Sequence, residues 1–176
     1  MFLDSAIVYG HGTDNAWDEA VYLVTSLSGF PDSDQSVDLE ISQEIERKII
    51  DYAERRIEER VPLAYLLGFC QYAGHRFLIS EGVVIPRSPI GLLVAEGHLK
   101  SWVGKGVRRI LDLCTGSGCL GILAAHEYPE AEVVLVDKEL LAVDLAEKNV
   151  RQHDLQSRVS VARMDVTSET LGNLGE

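Results

Sequence analysis

The stretch Arg109–Leu123, RILDLCTGSGCLGIL, decides how the rest of the chain is read. Ile110 to Leu113 is a short apolar run with one acid, Asp112, near its end. Thr115, Gly116, Ser117 and Gly118 follow, and Cys119 to His126 then reads as a helix. A strand, a glycine turn and a helix in this order let main chain approach a ligand closely. Glycine has no Cβ, so the turn can tighten and turn its N–H groups outward. The helix behind it adds unpaired N–H groups and the positive end of its dipole. A glycine turn after a strand can also be nothing more than a turn.

Two ligand classes use such a turn. Gly116, Gly118 and Gly121 spell G-x-G-x-x-G, the dinucleotide pattern. Against that stands Asp112, four residues before the first glycine, where a carboxylate repels a pyrophosphate. It suits the ammonium of an amino-acid ligand, directly or through water, which favours S-adenosylmethionine. Asp137 closes the next strand about twenty residues after the glycines, where a carboxylate accepts from both ribose hydroxyls of an adenosine. That residue fits NAD equally well. Asp165, just past a third strand, has two readings: an acceptor for an adenine exocyclic amine, or a solvated loop acid.

Around this centre the pattern alternates. The spacing predicts strands over 109–113, 131–136 and 158–162 and helices over 119–126 and 140–153, hence an α/β fold with a parallel sheet. In such sheets ligands sit beyond the carboxyl ends of the strands, where Asp112, Asp137 and Asp165 fall in three successive units. Upstream, a helix is expected over 15–27, capped by Asp14, with Trp17, Val21, Val24 and Leu27 on its apolar side. A second is expected over 42–59, with Ile45, Ile49, Tyr52, Ala53, Arg56 and Ile57 inward. Gly68 and Gly74 punctuate a hairpin of Phe69–Tyr72 and His75–Ile79, and Val83–Ile85 reads as a further extended piece. Ser88 caps, and Pro89 opens, a helix expected to run to Val103. His98 reads as a surface or satisfied histidine, and His75 is ambiguous.

Composition narrows the function classes. The chain is 46% hydrophobic and 25% charged, with a formal net charge of −12. That balance argues against DNA or RNA as the main ligand, since phosphate binding needs clustered Lys and Arg. It is compatible with a basic protein partner, and equally with simple solubility. No 18-residue apolar run indicates a membrane span, and the acid-bearing N-terminus does not read as a secretory signal. Cys70, Cys114 and Cys119 form neither a disulfide framework nor a paired zinc spacing. No metal site and a cytoplasmic location are the expectation.

The residues then carry a resemblance. DLCTGSGCLGIL, the strand end LVDK and the turn MDV resemble a class I S-adenosylmethionine-dependent methyltransferase. YGHGTDNAWDEAV, ERVPLAYLLG, GHRF and VVIPRSPIG narrow it to the PrmB group, which methylates a glutamine side-chain amide in a large-subunit ribosomal protein and is related to the HemK-type release-factor enzymes. The resemblance covers nearly the whole chain. It implies a helical substrate-recognition domain over 1–64, a hairpin linker over 65–87 and a Rossmann-like cofactor domain over 88–176. It implies S-adenosyl-L-methionine as cofactor, held by Asp112, Thr115, Gly116, Ser117, Gly118, Asp137 and Asp165. Arg87, Ser88 and Pro89 are substrate or loop candidates. The family's catalytic Asn-Pro-Pro-Tyr motif follows its fourth strand, and no NPPY occurs in these 176 residues, so no catalytic residue is assigned. Leu92 stands where the resemblance leads one to expect an acid.

These departures set the remaining expectations. The chain is read as C-terminally incomplete and unable to methylate by itself. Its three-stranded sheet should have an open edge at the first strand, with apolar surface uncovered there and dimerisation through it. Two other functions compete: a non-catalytic binding protein with a degenerate methyltransferase fold, and an NAD-linked oxidoreductase.

Overall fold

The computed structural model describes residues 1–5, 7–10, 12–33, 39–104 and 106–168. His11, part of the polar loop after Pro31 and the final LGNLGE lie outside the described residues. The chain divides into two compact units, Met1–Gly68 and Phe69–Glu176.

The first unit contains a 3₁₀ turn, Phe2–Asp4, and helices α1 (Ala16–Ser28), α2 (Gln43–Glu58) and α3 (Leu63–Leu67). Asn15, not Asp14, caps α1, its side chain accepting from the N–H groups of Trp17 and Asp18. The buried face of α1 is also rotated from the expected one. Ala16, Glu19 and Leu23 are buried, while Trp17 is 74% exposed. The cause is Glu19, a charged residue that belongs inside because Arg56 of α2 meets it there at 2.5 Å. Arg56 also donates to the Val8 carbonyl at 2.9 Å, so the buried guanidinium is well satisfied. α2 begins where expected, with Ser42 accepting from the Ile45 N–H. α3 has no signature in the sequence, because five residues between Pro62 and Gly68 carry too little periodicity. Leu63 and Leu66 join Phe2, Leu23 and Ala53 in the core.

The second unit opens with the antiparallel pair β1 (Phe69–Tyr72) and β2 (His75–Leu78). Its two-residue turn has positive φ at both Ala73 (49°) and Gly74 (79°), the backbone twist that matches paired strands. Val83 and Ile85 are buried, yet 83–85 forms no strand. The helix expected from Ile90 to Val103 is two, α4 (Pro89–Ala95) and α5 (Lys100–Val103). Gly97 breaks it by adopting φ +72°, and Pro89 and Ser88 start α4 as expected.

β3 (Arg109–Leu113), α6 (Cys119–Glu127), β4 (Glu132–Asp137), α7 (Leu140–Gln152) and β5 (Val159–Arg163) follow. The sheet is parallel in order β3-β4-β5, with Leu111 opposite Val134 and Val134 opposite Ser160. Leu135 and Val136 are fully buried between the helices and the sheet. Among the described residues β3 pairs on one side only, and Leu111 and Leu113 are 44% and 41% exposed. This is the uncovered apolar edge that three strands imply. No described helix is long and apolar enough to cross a membrane.

Candidate cofactor cleft

β3 delivers Asp112 to the carboxyl end of the sheet, and the chain then turns through three left-handed residues. Cys114 has φ 56°, Gly116 58° and Gly118 80°. Glycine takes this conformation freely, whereas Cys114 holds it at a cost of about 1 kcal/mol. Two carboxylates shape the turn. Asp112 Oδ2 accepts from Thr115 Oγ1 at 2.6 Å and from the Gly121 N–H at 3.0 Å. Asp137 Oδ2 accepts from the Gly116 N–H at 2.9 Å, and its Oδ1 from Glu139 N–H at 3.1 Å. The Thr115 N–H meanwhile donates to Val136 O at 3.0 Å, continuing the pairing of β3 with β4.

Gly121, the third glycine, lies inside α6 and serves packing. A Cβ there would lie 2.1 Å from Leu135 Cδ2 and 3.1 Å from Asp112 Oδ2. Helix and strand approach so closely that the Gly121 N–H reaches the carboxylate.

These groups line a cleft of about 680 Å³. Asp112, Thr115, Gly116, Ser117 and Asp137 face it, as do Arg87 and Ser88 from the segment before α4. Gly118 instead begins α6 behind the turn, and Pro89 is the first residue of α4; neither lines the cleft. Asp165 lies in an adjoining concavity with Lys138, Glu139 and Arg163. Its Oδ1 accepts from the hydroxyl and N–H of Thr167 at 2.6 and 3.0 Å, and these bonds hold its carboxyl below the ordinary value. Leu92 is half exposed and outside the cleft.

Burial raises the Asp112 carboxyl above its ordinary value, the Thr115 and Gly121 bonds pull it back, and Asp137 raises it again. The cleft floor is thus anionic and partly desolvated, a place where a cation is welcome. Burial also pushes the Cys70 thiol up to about 12 and Cys119 to about 11. Neither is a nucleophile at neutral pH.

One residue essential to this geometry escaped the sequence reading. Asn149 of α7 is fully buried. Its Oδ1 accepts from the Leu78 N–H at 2.7 Å, and its Nδ2 donates to Leu78 O at 3.1 Å and Ser117 O at 2.8 Å. One amide joins β2, α7 and the glycine turn. The signal was its place among Ala142, Leu145 and Ala146 on the buried stripe of α7.

Residues 97–174 match the Methyltransferase small domain family. Over 161 residues the chain is 45% identical to the ribosomal protein uL3 glutamine methyltransferase of Bordetella pertussis, covering 88% of this chain and 53% of that protein. The protein of the same name from Neisseria gonorrhoeae is 36% identical over 169 residues, 94% of this chain and 56% of that one. The chain spans about half the length of the curated relatives it matches. Among solved structures, Pyrococcus horikoshii TYW2 in complex with MeSAdo has a TM-score of 0.46 and 19% identity, over 58% of this chain and 37% of that one. Along most of its length the chain is thus similar in sequence to curated ribosomal protein uL3 glutamine methyltransferases, and its second unit carries the three-stranded parallel sheet and the match to the Methyltransferase small domain.

Proposed function

We propose that the cleft binds S-adenosyl-L-methionine, and that the protein transfers methyl groups to a glutamine side-chain amide of ribosomal protein uL3. The observation that carries the cofactor assignment is the pair of carboxylates, Asp112 and Asp137, on either side of one left-handed turn in one cleft. The donor set fits the ligand. Asp112 Oδ1 has no protein partner among the described residues and can take the amino-acid ammonium. Asp137 keeps lone pairs beyond its two N–H bonds for ribose hydroxyls. Thr115, Gly116, Ser117 and Gly118 supply the turn, and Asp165 is assigned to the adenine side of the adjoining concavity. When bound, S-adenosylmethionine supplies an electrophilic methyl on a sulfonium.

An amide nitrogen is a weak nucleophile because its lone pair is delocalised. The protein's contribution is therefore alignment and hydrogen bonding of the amide. Arg87 and Ser88, which also line the cleft, are the substrate-side candidates, and Pro89 starts the helix that follows them. Residues 1–64 are assigned to substrate recognition, 65–87 to the linker and 88–176 to the cofactor domain. A ribosomal substrate places the work in the cytoplasm, and the net charge of −12 suits a basic protein partner. The open edge of β3 supports pairing with a second copy, which size-exclusion chromatography of the 176-residue chain would reveal as a dimer; a monomer would refute it.

Calorimetric titration with S-adenosylmethionine, with NAD as control, tests the cofactor. Binding of the first alone, weakened at least tenfold by Asp137→Ala, is expected. Equal binding of NAD, or an unaffected variant, would refute the assignment. Transfer of labelled methyl to uL3 by the intact gene product tests the substrate.

A further inference from the structure

Away from the cleft, three histidines from three elements meet on the surface of the second unit. His75 begins β2, His126 lies in the last turn of α6 and His153 ends α7. One ring nitrogen of each lies within 4.8 Å of the other two. His126 Nε2 and His153 Nδ1 are 3.1 Å apart. The rings of His75 and His126 stack, with 4.8 Å between centroids and 14° between planes.

The proton on His153 can be placed. Its Nε2 lies 3.1 Å from Arg76 O, and a carbonyl only accepts, so Nε2 carries the hydrogen. Nδ1 of the neutral ring therefore presents its lone pair toward His126. A backbone carbonyl behind a histidine is the arrangement that fixes the tautomer of a metal ligand and raises its basicity. Phe77 stacks on the His153 ring, 4.9 Å between centroids, and restrains its plane.

The surroundings of His126 and His153 disfavour their charged forms. Burial, then His75, His153 and Arg158, lower His126 below its ordinary value. Burial and His75 lower His153, against the opposing Arg76 carbonyl and Asp154. Neutral imidazole is the form that binds metal. Around tetrahedral Zn²⁺, with Zn–N near 2.0–2.1 Å, ligand nitrogens sit roughly 3.3 Å apart. The His126–His153 pair already has about that spacing. His75 needs to close by at most about 1.5 Å, which a half-buried side chain achieves through χ rotation.

We propose that His75, His126 and His153 form a three-histidine site for a borderline divalent transition ion, with Zn²⁺ as the first choice and a fourth position left to water. The ion would clip the hairpin to the C-terminal ends of α6 and α7. Such a site has no signature in the sequence, because its ligands are spread along the chain with no local spacing.

The test is titration of the full chain with Zn²⁺ at pH 7.5 in a Cys114→Ser background, which removes the one exposed thiol. One ion per chain is expected. Co²⁺ in its place should give visible d–d bands without a thiolate charge-transfer band. His126→Ala, at an exposed position, should weaken binding by about 100-fold or more with an unchanged circular dichroism spectrum, as should His75→Asn. His98→Ala should leave it unchanged. Affinity weaker than about 1 mM, a thiolate band, or equal binding by the His126 and His75 variants would overturn the proposal.

Discussion

Replacing Asn149 by Ala should unlock the glycine turn and the hairpin together. The wild-type amide satisfies three main-chain groups: Leu78 N–H, Leu78 C=O and Ser117 C=O. Ser117 is buried, so its carbonyl loses its partner where water reaches it poorly, at about 1–3 kcal/mol. Leu78 is half-buried, and water entering the space left by the amide recovers part of its two bonds, leaving about 0.5–1 kcal/mol each. The total is about 3 kcal/mol, or roughly a hundredfold in the opening constant. Hydrogen exchange read by mass spectrometry should show this as lost protection at Leu78 and along the turn, while helix α2 in the first unit stays unchanged. Asn149→Asp keeps an acceptor for the Leu78 N–H but loses both donors, and should do about as much damage. A protection change below about tenfold at Leu78 in both variants would refute the reasoning.

Other substitutions test separate features. Gly121→Ala should destabilise the second unit by about 1–3 kcal/mol in urea melts, because the new methyl meets Leu135, which is fully buried and cannot move aside. Adding Leu135→Ala should lower the further cost of Gly121→Ala toward zero. In the first unit, Arg56→Met should cost about 3–5 kcal/mol by stranding the Glu19 carboxylate, while Arg56→Met with Glu19→Leu should cost much less; a full double-mutant cycle by denaturant unfolding checks this. Cys70 and Cys119 should make stability fall as pH rises above 9.0 toward about 11, because the unfolded thiols ionise there and the buried ones keep their protons. Well below 9.0 they contribute no slope. Iodoacetamide at pH 8 should accordingly label Cys114 alone, as read by intact mass.

Much of the second unit was legible because its signals are local. The strand Arg109–Leu113, the turn and α6 occupy consecutive residues, and the apolar runs of β4 and β5 have the length and spacing of parallel strands. Asp112 and Asp137 could be placed because a strand end fixes where a carboxylate projects. The illegible parts depend on distant partners. Glu19 looks like a surface acid until Arg56, 37 residues later, lies against it. Asn149 looks like a helix polar residue until the hairpin packs on it. The break at Gly97 was hidden by a helical period that continues through it, since periodicity records spacing and not backbone φ. For Asp165 the sequence offered two readings, and its Thr167 bonds and adjoining concavity now give both a geometry.

Asn149 binds the main chain of Leu78 through both N–H and C=O, as a neighbouring peptide group would. Such a contact is indifferent to which side chain position 78 carries but depends on how many residues separate that position from the turn's supports. Descendants of this sequence can therefore vary residue identity along the hairpin more freely than its length. A one-residue insertion between Leu78 and Val83 shifts the chain that must return beside α7, where Val83 packs on Ala142 and Leu145. Gly104, exposed at the end of α5, meets no such packing among the described residues, so an insertion before it should be tolerated.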